Sequence, residues 1–242
     1  MSKQSTRESR AGRAAAALRE QQRAERRRAT LMIAGVVAAI LVVVGGGFFL
    51  TRSLDNSGNV SAPPAGTGSY GVAIGQKSAP HDVVIYEDFL CPYCGELERA
   101  SHAKLATLAQ QGKVYVEYRP FNLLGTDYSV AAASAFKVVL DQAGPAAAKS
   151  FHDELYADQP SEGGPYPSSS WLIDRAVAAG ASRSAVSSAI EHTSQKAWVE
   201  QATAKAKAAG VNSTPTVLLD GKVFTDWRTM NDLAANLVAK VS

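Results

Sequence analysis

Residues 83–100 read VVIYEDFLCPYCGELERA and contain Cys91 and Cys94, the two cysteines of the chain. The wider run HDVVIYEDF is apolar and β-branched, which predicts a buried strand. The run CPYCGELERASHAKLATLAQQG that follows predicts a helix. Pro92 falls in its first turn, where a missing N–H costs nothing. Leu97, Leu105 and Leu108 recur at near-helical spacing, and Gly112 marks the end. A strand that runs into a helix in this way puts Cys91 at the helix N-terminus and Cys94 one turn in.

Three chemistries use a Cys-x-x-Cys pair. A structural zinc site takes four ligands, usually from two such pairs. There is no second pair here, and His81, His102, His152 and His192 show no ligand spacing, so no metal is expected. A structural disulfide across three residues closes a very small loop and gains little entropic stabilisation. A redox-active dithiol fits the context best. Unpaired N–H groups and the helix dipole stabilise an anion at a helix start. The Cys91 thiol is therefore expected to titrate below the free value of about 8.5. A stabilised thiolate favours the reduced protein, which makes the disulfide form the better oxidant. Cys94 is expected to be the more buried, resolving thiol, with Pro92 and Tyr93 tuning the pair.

The rest of the chain places this chemistry. Its 242 residues, 46% of them hydrophobic, suffice for one packed domain with appendages. Charge is split. Residues 1–30 carry nine basic and three acidic side chains and are +6, whereas the remainder is −3. The excess of positive charge thus belongs to a tail, and nothing argues for nucleic-acid binding. LMIAGVVAAILVVVGGGFFL, Leu31 to Leu50, holds no charge. As a helix it would span about 30 Å, the thickness of a bilayer core. Arg26, Arg27 and Arg28 precede it, which keeps the N-terminus cytoplasmic and sends the residues after 51 out of the cytoplasm. The apolar run is longer than that of a cleaved signal peptide, and TRSLDN behind it is a poor cleavage site. Residues 51–69 are rich in Ser, Gly, Pro and Asn and read as a flexible linker.

The globular part is expected from about residue 70. After the helix that starts at Pro92, KVYVEYRPF predicts a second strand. About 80 residues of helical pattern follow, broken at Gly144-Pro145 and by the loop QPSEGGPYPSSS. TPTVLLDGKVF predicts a hairpin turning at Asp220-Gly221. DWRTMNDLAANLVAKV predicts a last helix capped by Thr225 or Asp226. The order gives an α/β sheet with a helical insertion.

Three stretches, taken in order, resemble the thioredoxin superfamily and its DsbA-like branch. IGQKSAPHDVVIYEDFLCPYC resembles that branch's strand and active site, FHDELYADQP a helix of its inserted domain, and AGVNSTPTVLLDGKVF its cis-proline segment and terminal hairpin. Together they cover about residues 70–240. The resemblance implies a thioredoxin fold over 70–242 with a helical insertion at about 127–209, preceded by the transmembrane helix. It implies Cys91 as nucleophile and Cys94 as its buried partner. Thr214-Pro215 becomes the cis-proline loop, whose exposed backbone at Thr214 pairs with an extended substrate. The sequence departs from the branch at Ile85, where relatives commonly carry a buried carboxylate. Glu87 and Asp88 are the nearer candidates to accept a proton beside Cys94, or are simply solvated strand-end acids. The implied activity is oxidation of cysteine pairs in exported proteins, by a monomer that needs no cofactor and is reoxidised by a DsbB-like or VKOR-like membrane partner. The alternatives are an isomerase or reductase of the same fold, or a tethered peptide-binding chaperone.

Overall fold

The computed structural model describes residues 70–242. The expected basic tail, transmembrane helix and linker lie outside them. Among the described residues no helix is long and apolar enough to cross a membrane.

The strands are β1 (Val72–Ile74), β2 (His81–Glu87), β3 (Val114–Pro120), β4 (Thr216–Leu219) and β5 (Lys222–Val223). The helices are α1 (Pro92–Gln110), α2 (Asp127–Ala157), α3 (Ser169–Ala178), α4 (Arg183–Glu191), α5 (Lys196–Ala208) and α6 (Met230–Lys240). The sheet order is β1-β3-β2-β4-β5. Strands β2 and β3 run parallel, with Ile85 opposite Tyr118, because α1 carries the chain back between them. The other pairings are antiparallel, so the sheet is mixed.

Alternation along β2 sorts its side chains between two cores. Val83 and Ile85 pack in the larger core with Leu97 and Leu105 of α1 and Leu237 of α6. Val84 and Tyr86 pack in the smaller one with Ala202 and Ala206 of α5. Both faces are covered, which explains why Val83 to Glu87 are all buried. Helices α2 to α5 all lie between β3 and β4 in the chain, and α2 is two helices in series. Gly144 interrupts it at φ 84°, ψ 178°, a region that side chains exclude, and Pro145 restarts the helix.

Two details differ from the sequence reading. β1 was not foreseen; three residues are too few for a periodic signal, and antiparallel pairing with β3 defines the strand. Helix α6 is capped by Thr229, not by Thr225 or Asp226. Thr229 Oγ1 accepts from Asp232 N, and the Asp232 carboxylate accepts from Thr229 N. This reciprocal cap needs an acid three residues on, which Thr229 has and Thr225 lacks, since Arg228 occupies that place.

Asp88 ties these elements together. Its carboxylate accepts hydrogen bonds from Leu90 N and Ser129 Oγ through one oxygen, and from Leu123 N and Leu124 N through the other. One side chain thereby fixes the loop before α1, the turn after β3 and the start of α2. Asp88→Ala leaves three N–H donors without their acceptor, that of Leu90 buried and those of Leu123 and Leu124 partly buried, and should lower stability by about 2–4 kcal/mol. Urea unfolding of the two proteins measures this as a lower midpoint at unchanged slope.

Candidate active site

Cys91 is the residue that opens α1. It adopts an extended conformation, with φ −67° and ψ 118°, and no side-chain oxygen caps the helix. Its N–H donates to Asp88 O, and Gly95 N donates to its carbonyl. Gln159, in the loop after α2, donates to the carbonyls of both Phe89 and Cys91, at 3.0 and 2.8 Å. Gly95 makes that contact possible, because a Cβ there would meet Gln159 Oε1 at 2.2 Å. Both cysteines are free thiols, 5% and 1% exposed for Cys91 and Cys94 respectively. Pro92 and Tyr93 are exposed beside them, Tyr93 at 60%.

The Thr214-Pro215 peptide bond is cis, and the carbonyl of Thr214 accepts the Cys91 thiol hydrogen at 3.3 Å. The fold thus brings together Cys91, Cys94 and Thr214 across more than a hundred residues of sequence. The two thiols differ sharply. Hydrogen bonding from the Cys94 thiol lowers the Cys91 pKa from 9.0 to about 6, against the opposing effect of burial. The Thr214 side chain and the N–H groups of Cys94 and Tyr93 add to the lowering. Cys94 goes the other way. Burial raises its pKa well above 9.0, and the neighbouring charges of Cys91 and Glu87 raise it further.

Neither strand-end acid is solvated. Glu87 and Asp88 are both fully buried, Glu87 because strand alternation puts it on the face of Val83 and Ile85. Asp88 has both oxygens engaged twice over. Glu87 accepts a hydrogen bond from His152 Nε2 at 2.6 Å through one oxygen and, among the described residues, has no partner on the other. Of the two expected proton acceptors, Glu87 is therefore the one with a vacant oxygen, and its charge acts on Cys94.

His152, Glu98, Asp153 and Gln159 went unnoticed as site residues in the sequence. His152 is fully buried beside Phe89, Tyr118 and Tyr156, with its Nδ1 3.0 Å from Asp153 Oδ1. Asp153 also pairs with Lys149. Burial works against a charged His152, but the Glu87 charge together with the hydrogen bonds to Asp153 and Glu87 outweighs it and raises the pKa to about 9. Glu98 lies one turn after Cys94 on α1 and is 2% exposed, and neither of its oxygens has a partner among the described residues. Burial, aided by Glu87, pushes its pKa up to about 8. The signal for Glu98 was present. Cys94, Leu97, Glu98, Ser101, Leu105 and Leu108 form one buried stripe of α1, so an acid stands where the period demands an apolar residue.

The fold has known relatives. The family model described as thioredoxin matches residues 67–238. Reduced disulfide bond oxidoreductase DsbG from Mycobacterium tuberculosis is 30% identical at a TM-score of 0.61, the match covering 77% of this chain and 90% of that one. Reduced DsbA from the same organism is also 30% identical at a TM-score of 0.60, covering 72% and 91%. BdbD from Bacillus subtilis, 20% identical at a TM-score of 0.64 and covering 76% and 98%, shares the fold. A search of curated proteins finds no match. The chain belongs to the thioredoxin family, as a DsbA-like thiol-disulfide oxidoreductase.

The lowered Cys91 pKa has a testable sign. Between pH 6 and 9 the unfolded chain holds a proton on this thiol that the folded, reduced protein has released. Stability of the reduced protein should therefore rise with pH through that window, and the gain should be lost as pH falls through 6. Denaturant midpoints of reduced wild type and reduced Cys91→Ser, followed from pH 5 to 9, should diverge accordingly.

Proposed function

We propose that the protein is a membrane-anchored thiol oxidase that introduces disulfides into exported proteins outside the cytoplasm. The observation that carries this reading is the opposed state of two adjacent sulfurs, Cys91 held toward thiolate and Cys94 held toward thiol. Starting from the oxidised pair, a substrate thiolate attacks Cys91 Sγ. The Cys91–Cys94 bond breaks, and Cys94 leaves and takes up a proton. A second substrate thiolate then attacks the substrate sulfur of the mixed disulfide and expels Cys91. The substrate loses two electrons and gains a disulfide, and the enzyme is left as the dithiol. Cys91 leaves readily because its thiolate is stable, which is also what makes the disulfide form oxidising.

The Thr214 carbonyl sits at the attacked sulfur, which suits pairing with the backbone of an extended substrate. Pro92 and Tyr93, exposed at the mouth, complete the tuning dipeptide. The charge-free Leu31–Leu50 stretch behind Arg26–Arg28 supports a single membrane span that holds the domain from residue 70 on the outer side, on the 51–69 tether. A DsbB-like or VKOR-like membrane protein would restore the disulfide, and the cycle uses no bound cofactor.

Equilibration of the full chain with glutathione tests the direction. A potential toward the roughly −120 mV of DsbA fits an oxidase, and one near the roughly −270 mV of thioredoxin overturns it in favour of a reductase. Cys91→Ser should abolish oxidation of a reduced model substrate, while Cys94→Ser should accumulate the mixed disulfide. Undiminished substrate handling by Cys91→Ser would point to a chaperone instead.

A further inference from the structure

We propose that Glu87, Glu98 and His152 form a binding site for one divalent transition-metal ion, zinc in the first instance, beneath the dithiol. One ligand atom from each of the three lies within 4.8 Å of the other two. All three side chains are buried, so they are not a solvated surface cluster. The independent sign of a missing occupant is the set of polar atoms left over. Among the described residues, Glu87 Oε2, Glu98 Oε1 and Glu98 Oε2 have no hydrogen-bond partner. The hydroxyls of Tyr118 and Tyr156, both of which pack against the His152 ring, have none either. Orphaned polar atoms of this kind are rare in native interiors and call for water or an ion. Unpaired carboxylate oxygens are also the most costly to leave so.

The donor chemistry selects the ion. One imidazole and two carboxylates suit zinc and its first-row neighbours, whereas calcium and magnesium take oxygen alone. The outer shell is already built. His152 Nδ1 bonds Asp153, which Lys149 holds in turn, the carboxylate–imidazole arrangement that orients histidine ligands at metal centres. Binding would replace the Glu87–His152 hydrogen bond of 2.6 Å by two bonds to the ion. Donors on a tetrahedral zinc stand roughly 3.3–3.6 Å apart, given bonds of about 2.0–2.2 Å, so the Glu87–His152 pair must part slightly and any wider separation, none of them above 4.8 Å, must close. A groove of about 260 Å³, lined among others by Glu98, Arg99, His102, Ser150, Asp153 and Tyr156, gives a way in.

The test uses the full chain with Cys91 and Cys94 oxidised, so that the thiols cannot hold metal. Titration with Co²⁺ should give one ion per chain, with visible d–d bands and no sulfur-to-cobalt charge transfer, and Zn²⁺ should displace it. Glu98→Gln and His152→Gln should abolish the cobalt spectrum. Asp153→Asn, which keeps all three ligands, should weaken binding by about 10–100-fold. Zn²⁺ should raise the Tm of the wild type and leave that of Glu98→Gln unchanged. Absence of a stoichiometric cobalt complex overturns the proposal and leaves water to satisfy the cluster. So does affinity unchanged in Glu98→Gln and Asp153→Asn, or a charge-transfer band that appears only after reduction of the cysteines.

Discussion

Helix α1 begins without an oxygen cap, and the N–H groups of its first turn meet the sulfur of Cys91 instead. A helix start leaves several donors unpaired, and an anion satisfies them better than a neutral atom does. Pro92 removes one donor at the position where it would be idle. Much of the surrounding structure holds this start in place. Asp88 fixes the approach from β2, Gln159 grips the carbonyls of Phe89 and Cys91, and Gly95 leaves room for it. Displacing any of these would turn the sulfur away from the donors that stabilise it.

Burial alone raises the pKa of both thiols, because it disfavours a thiolate wherever it stands. What separates the two cysteines is the set of groups each one faces. Cys91 faces the Cys94 thiol, the N–H groups of the first turn and the loop of Thr214. Cys94, one turn deeper, faces Glu87 and the developing charge of Cys91. A three-residue spacing at the end of a helix is thus enough to carry one sulfur from a polar rim into a negatively charged interior. The difference between the two is the source of direction in the exchange, since the stabler thiolate is the better leaving group.

The parts of the molecule governed by local rules were legible in the sequence. The strand before the motif, the helix after it, the break at Gly144-Pro145 and the hairpin turn at Asp220-Gly221, where both residues have positive φ, follow from periodicity and turn chemistry. The cap of α6 was legible in principle, since only Thr229 has an acid three residues on. The cluster under the dithiol was not legible as a cluster. Glu87 and His152 are 65 residues apart, and only the packing of α2 against the sheet joins them. Each member nonetheless left a local trace. Glu87 alternates in phase with Val83 and Ile85, Glu98 stands in an apolar stripe, and His152 shares a buried face with Ala148, Phe151 and Leu155. A charged residue on a buried face announces a partner without naming it, because the partner is chosen by tertiary structure.

That cluster is poor material for stability. Buried ion pairs seldom repay their desolvation, and apolar residues of the same volume would often serve a core as well or better. Its effect falls on Cys94, which shares the interior with Glu87, while Cys91 is turned to the loop of Thr214. The two sulfurs are therefore addressed from different sides. Groups that meet an incoming peptide act on Cys91, and groups buried beneath α1 act on Cys94. A change in the charge of the buried cluster would shift the balance between dithiol and disulfide through Cys94, away from the Thr214 loop.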